Sequence, residues 1–246
     1  MLWLVTQRRW MDLHEFAETR MSFQGFGQEA LPFFKALAFH QSREWFEENR
    51  ETYERAVKGP IGDLVDDVAQ RLAKAKIPIK GDRRSSVFRI HRDVRFSKSK
   101  DPYKTSAGAA LTRSGSKNDP GVLYFHLSPE ECFFAAGFHL PEPEQLGRLR
   151  AAAARSPKAF KLMTGKLKKA GLALSDRDAL KRAPRGFDDI GDPQIAAAVR
   201  LKSMVCLRPV AEAAIASPAL VDAFCAFAAD SLPLLKWGWD ALSDSR

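Results

Sequence analysis

Cysteine is scarce: Cys132, Cys206 and Cys225 are the only three in 246 residues. They are odd in number, scattered and free of CxxC spacing, which excludes a zinc knuckle and a thioredoxin-like motif. Each sits among apolar or small neighbours, as buried reduced thiols do, so the expected compartment is the reducing cytoplasm. No apolar run approaches the ~20 residues of a membrane span. The opening Met1-Leu-Trp-Leu-Val is too short for a signal-peptide core. The five histidines, His14, His40, His91, His126 and His139, form no HxH or HExxH. His91, Asp93 and a sheet neighbour such as His126 are all that a metal site could draw on, so neither a metal nor a cofactor is expected. The GxSxG elbow is missing, and Thr112-Arg-Ser-Gly-Ser-Lys lacks phosphate-loop spacing and reads as a hairpin turn. Negative charge is also in short supply. Thirty acidic residues face 39 basic ones, for a net charge of +9 and a pI near 9.6, which favours anionic partners without choosing among them.

What is present is a folded globule with 45% hydrophobic residues. Residues 1–21 lack a clean period and read as an N-terminal extension, or Met21 as the true start; residues 22–240 read as a single α+β domain. Gln28–Phe39 is an amphipathic helix, and Ser42 caps a second one running to about Val57. Gly59-Pro60 should break it, after which Ile61, Leu64, Val65, Val68 and Leu72 share one face. The period then changes. Val87–Phe96 alternates Phe88, Ile90, Val94 and Phe96 against Arg89, His91, Asp93 and Arg95, as a strand does. Thr105–Thr112, Val122–Leu127 and Cys132–Phe138 follow across short turns, which predicts an antiparallel meander over about residues 86–138. Ser156-Pro157, Asp192-Pro193 and Ser217-Pro218 open helices in a last third read as wholly helical. The class is α+β: a central antiparallel sheet between N- and C-terminal helices.

The densest polar segment, Phe88 to Thr105, holds Arg89, Arg92, Arg95, Lys98, Lys100 and Lys104 against only Asp93 and Asp101. Guanidinium groups at alternate strand positions can take phosphate or carboxylate bidentately. The other reading is a solvated sheet face whose arginines pair with Glu44, Glu47 or Glu48. Arg92 falls on the apolar side by alternation, so it is either buried and paired or marks a bulge. The basic helix end Lys161–Lys169 reads as a solvated face.

This segment resembles the central motif of the bacterial and fungal family called domain of unknown function 2461. Three further stretches are similar to family motifs in the same order. Ser42-Arg-Glu-Trp-Phe resembles its NREWF motif. Gly137-Phe-His-Leu-Pro with Leu149-Arg150 resembles its GxxxPxxxxLxxxR stretch, and Leu180-Lys-Arg-Ala-Pro-Arg-Gly-Phe its LKRxPxGF motif. The resemblance covers residues 22 to about 237 and supplies a location, not a reaction. It implies Arg43, Trp45, Arg89, Arg92, Asp93, Arg95, Lys98, Tyr103, Lys104, Lys181 and Arg185 as family-typical positions. The chain departs from the pattern at His40-Gln41, where members tend to have Asn-Asn, and at His91, where an aromatic is usual.

The expected function is binding of an anionic, phosphate-bearing small ligand on the basic sheet face by Arg89, Arg92, Arg95, Lys98 and Lys104, with Arg43 and Arg185. An enzyme using Asp93, Tyr103 or Lys104 on such a ligand is the alternative, although a carboxylate among arginines is a poor general base. Nucleic-acid binding is a third reading. It would use the charge and the aromatics Phe88, Phe96, Tyr103, Tyr124 and Phe125, but no RNP-like or helix-turn-helix motif accompanies them. Oligomeric state is not legible.

Overall fold

The computed structural model describes residues 22–95 and 98–243; the reading of residues 1–21 and the end of the Val87–Phe96 strand lie outside them. The chain opens with α1 (Ala30–Phe39), α2 (Arg43–Glu48) and α3 (Arg50–Tyr53). Ser42 caps α2 as expected, its hydroxyl accepting from the Trp45 amide at 3.2 Å. Gly59-Pro60 does not break the helix, contrary to expectation. A π-helical turn, Glu54–Lys58, leads without interruption into α4 (Gly59–Lys74). A proline ring collides with the carbonyl four residues earlier in a regular α-helix, and a wider turn relieves that collision. Ile61, Leu64, Val65, Val68 and Leu72 are all buried along α4, as their spacing predicts.

The sheet is a four-stranded antiparallel array in the order β1 (Ala107–Thr112), β2 (Val122–Leu127), β3 (Cys132–Phe138), β4 (Met204–Pro209). β2 and β3 have the bounds that alternation and turn signals give. Two differences matter. β4 lies in the stretch read as all helix; at six residues, followed by a short helix, its signal is swamped by the helical periods around it. The expected first strand is not a regular one. Residues 87–91 touch the edge of the sheet only through the isolated pairings Val87↔Ala109 and His91↔Tyr103. Between these pairings one chain advances four residues and the other six, so Thr105–Ala107 bulge opposite Arg89. The bulge lies opposite Arg89 and not at Arg92, whose half-buried guanidinium reaches Asp101, the paired alternative.

After β3 come α5 (Pro143–Arg155), α6 (Pro157–Lys169) and α7 (Pro193–Ala198), then β4, the short α8 (Glu212–Ile215) and the long α9 (Leu220–Ser243). Asp192 caps α7 by accepting from the Gln194 and Ile195 amides. Alternation gives the sheet two unlike faces. Ala109, Leu111, Leu123, Phe125, Phe134, Ala136, Phe138 and Cys206 are buried on the inner face. α9 crosses β3 and packs on α4, α5 and α6. Phe134 stacks on Phe224 at 4.6 Å between ring centres, and Phe125 on Phe26 at 5.7 Å.

Contact between β3 and α9 depends on one residue without a side chain. Gly238 lies inside α9 with the Phe138 ring where its Cβ would be. Gly165 in α6 has open space instead. Helix-interior glycine to alanine ordinarily stabilises by about 1 kcal/mol, so Gly165→Ala should raise the melting midpoint. Gly238→Ala should lower it by about 2–8 °C, because overpacking costs about 1–3 kcal/mol. Thermal unfolding of the pair checks this; an increase for both would mean that the Phe138–Gly238 contact is not tight.

Candidate functional site

The outer face of the sheet carries the complementary alternating residues, and most are small: Gly108, Ala110, Val122, Ala135 and Val205, with Tyr124, Phe133 and Leu207. Among the described residues no helix covers them. They floor an open cavity of about 750 Å³, within the range of small-molecule sites. The edge segment (Phe88, Lys104, Ser106) and the β1–β2 turn (Lys117–Gly121) wall it on the β1 side. Residues 175–179 with Lys202 and Ser203 wall it on the β4 side, and Phe138–Glu142 close one end.

The shape follows from local sequence. Gly108 is required because the Tyr124 ring lies where its Cβ would be; a glycine in a strand often marks such an approach. Tyr124 Oη and His126 Nδ1 share a hydrogen bond of 3.1 Å, and His126 stacks on Phe133 at 4.8 Å. Burial lowers the pKa of His126, against the opposing pull of Glu131 and Glu130. Leu140, at the closed end, is held at φ +40°, while its amide donates to Ser203 Oγ at 2.9 Å. Left-handed backbone in a leucine is held only by its surroundings; here that hydrogen bond ties the wall to the segment before β4.

Four cations line the cavity, Lys104, Lys117, Arg177 and Lys202, against the carboxylates Asp119, Asp178 and Glu142. Asp119 is engaged in its own turn, accepting from the Ser114 amide at 2.8 Å. Among the described residues none of the four cations forms an ion pair. Lys104 and Lys117 both lie over the Phe88 ring, 5.5 and 5.1 Å from its centre. Lys117 Nζ also donates to the Val87 carbonyl at 3.1 Å. The Lys104 amine has its pKa lowered, first by burial and then by the like charges of Arg89 and Lys117.

Of the residues expected from sequence to meet an anion or act in catalysis, Lys104 alone lines the cavity. Arg89 is exposed, close enough to act on Lys104 and Asp93 electrostatically. Arg95 and Asp93 bond each other bidentately, at 2.7 and 3.0 Å, and the guanidinium holds the Asp93 carboxyl below its usual range. Arg92 is half-buried, reaching Ser99 at 3.3 Å and Asp101 at 3.7 Å. Lys98, Arg43, Lys181 and Arg185 are exposed and outside the cavity lining. Tyr103 is buried, stacked on Phe46 at 4.4 Å, with its amide donating to Gln41 Oε1. That contact joins the Ser42–Phe46 segment to the edge hairpin. The aromatics do not share a face: Phe125 is inward, Tyr124 and Phe88 face the cavity, and Phe96 lies outside the described residues. Among the described residues no three His, Cys, Asp or Glu side chains converge as metal ligands, and no helix is long and apolar enough to cross a membrane.

The sequence reading missed Lys117, Phe133, Arg177 and Lys202 as site residues, and names Tyr124 only as an aromatic of the nucleic-acid reading. Small residues recurring at alternate positions of facing strands, Gly108 and Ala110 beside Ala135, were the available signal.

Fold and cavity define an α+β protein whose antiparallel sheet is covered on one face and hollowed on the other. The family model described as conserved hypothetical protein (DUF2461) matches residues 29–237, so the chain belongs to that family. No curated protein and no solved structure matches it.

All three tyrosines resist ionisation. Burial pushes Tyr53 and Tyr124 up to about 12 and raises Tyr103. Unfolded tyrosine ionises near 10, so the folded state binds more protons between pH 10 and 12 and stability falls as pH rises through that window. Tyrosinate absorbance should therefore stay low at pH 10 and appear near pH 12 or with unfolding. A half-ionised folded protein at pH 10 would contradict the burial described.

Proposed function

We propose that the outer-face cavity binds a small ligand carrying phosphate or carboxylate, with Lys104 and Lys117 meeting the anion and the apolar floor taking the ligand's body. The observation that carries this reading is the pair of lysines over Phe88, at a cavity wall, with no carboxylate partner among the described residues. Two ammonium groups held together repel each other, and a bound anion relieves that repulsion while replacing lost hydration. Arg89 adds to the field from outside. Arg92, Arg95, Lys98, Arg43 and Arg185 supply longer-range attraction rather than contacts, since they lie beyond the lining. Tyr124 and Phe133 offer ring surfaces for a planar ligand body. Free thiols, with Cys206 wholly buried, suit a reducing compartment, and the reading includes a cytoplasmic location.

Thermal-shift measurements with inorganic phosphate, sugar phosphates, nucleoside monophosphates and short oligonucleotides, at low and moderate salt, test this. A phosphorylated small molecule should raise the midpoint. Lys104→Ala should weaken that ligand about tenfold or more, the worth of a charged hydrogen bond. Stabilisation only by oligonucleotides, lost steeply with salt, would favour the nucleic-acid reading instead. No stabilisation by any anion would sink the proposal.

A further inference from the structure

The two lysines at the cavity wall are not equivalent. Lys117 is exposed and its ammonium is fixed by donation to the Val87 carbonyl. Lys104 is partly buried and makes no hydrogen bond or ion pair among the described residues, only the contact with the Phe88 ring. Its backbone is fixed by its amide, which donates to the Ile90 carbonyl at 2.8 Å at the start of the bulge. We propose that Lys104 is a nucleophilic amine that condenses with an anion-tethered aldehyde or ketone in the cavity, with Lys117 holding the ligand's anionic group. This rests on the cavity being an anion site: Lys104, a contact for the anion while protonated, becomes the bond-forming amine when it loses its proton.

Geometry and chemistry agree on that division of labour. An amine attacks a carbonyl only as the free base, and lysines become free bases near neutrality when desolvated beside another cation. Lys104 lies in that direction: it is partly buried at the cavity wall, and burial comes first among the causes that lower its pKa, followed by Arg89 and Lys117. Neither a carboxylate nor a hydrogen-bond acceptor holds its proton. In the step itself the Lys104 nitrogen lone pair forms a bond to the carbonyl carbon, and the C=O π pair moves to oxygen. That oxygen gains two protons, one of them from the amine and one from solvent, and leaves as water. The product is a protonated imine, and no oxidant or reductant is consumed. The protonated imine nitrogen withdraws electrons from the carbon next to the former carbonyl, and an apolar floor, which disfavours the positive charge, favours that withdrawal. The substrate class is therefore a 2-oxo acid or a phosphorylated aldehyde or ketone.

Borohydride trapping tests this on the whole protein. Folded protein is mixed with glyoxylate or pyridoxal phosphate, reduced with borohydride, digested and mapped by mass spectrometry. One adduct per chain is expected, at Lys104, formed many times faster than at any other lysine. Its rate should level off at a lower pH than the ~10.4 of ordinary lysine. Lys104→Arg should abolish it, with the melting transition recorded alongside to show that the variant is folded. Adducts spread over surface lysines at similar rates, or an unchanged yield from folded Lys104→Arg, would overturn the proposal. Stabilisation by phosphate without a Lys104 adduct would refute the covalent step alone. Absence of both would remove the anion site with it.

Discussion

Everything at the candidate site depends on which face of the sheet α9 covers. Stacking of Phe134 on Phe224 and seating of Phe138 against Gly238 place a 24-residue helix across β3. That contact commits the inner face to a dense aromatic core. β-strand alternation then obliges the intervening residues to point away from it. With no helix of the described residues laid over them, Gly108, Ala110, Ala135 and Val205 leave a hollow instead of a second core. The cavity is thus what remains when one face of an antiparallel sheet is packed and the other carries side chains too small to fill it.

The edge hairpin turns that hollow into a chemically specific place. A regular strand beside β1 would have kept one register along its length. The bulge at Thr105–Ala107 shifts that register, and Tyr103 and Lys104 diverge at its start. Tyr103 goes inward to stack on Phe46, where Gln41 also receives its amide. Lys104, next in sequence, turns to the cavity wall. The aromatic anchor and the free amine are consecutive residues with opposite tasks, so the N-terminal helices position the lysine through its neighbour.

Much of the fold could be read from sequence, for reasons that also explain what could not. β2 and β3 alternate cleanly and are bounded by Asn118-Asp-Pro-Gly and Ser128-Pro, so their limits were legible. Proline at the first helical position marked α6 and α7 because its fixed φ is a local effect; Asp192 also caps α7, whereas the Ser156 side chain makes no capping hydrogen bond to α6. β4 was not legible, since a six-residue strand owes its existence to the edge of β3 rather than to its own pattern. The strand expected over Val87–Phe96 had the right alternation but not the right partner: the bulge opposite it is a property of the pairing, not of either chain. The candidate site divides the same way. Lys104 stood out within a dense basic segment. Its companion Lys117 arrives from a hairpin turn 13 residues later, Arg177 from beyond two helices and Lys202 from beyond three. Nor does the sequence say that Arg95 is occupied by Asp93, because bidentate pairing two residues apart depends on the local bend.

Tyr124 offers the most direct view of the central claim, that the outer face of the sheet is a ligand site. The chain has only three tyrosines, of which Tyr124 floors the cavity while Tyr53 and Tyr103 are buried outside its lining. Fluorotyrosine labelling would give three resonances, assigned by single Tyr→Phe substitutions. Titration with a nucleoside monophosphate or pyridoxal phosphate should move the Tyr124 resonance progressively and leave the other two in place. Saturable binding that shifts Tyr53 or Tyr103 while Tyr124 stays fixed would put the ligand elsewhere and contradict the account.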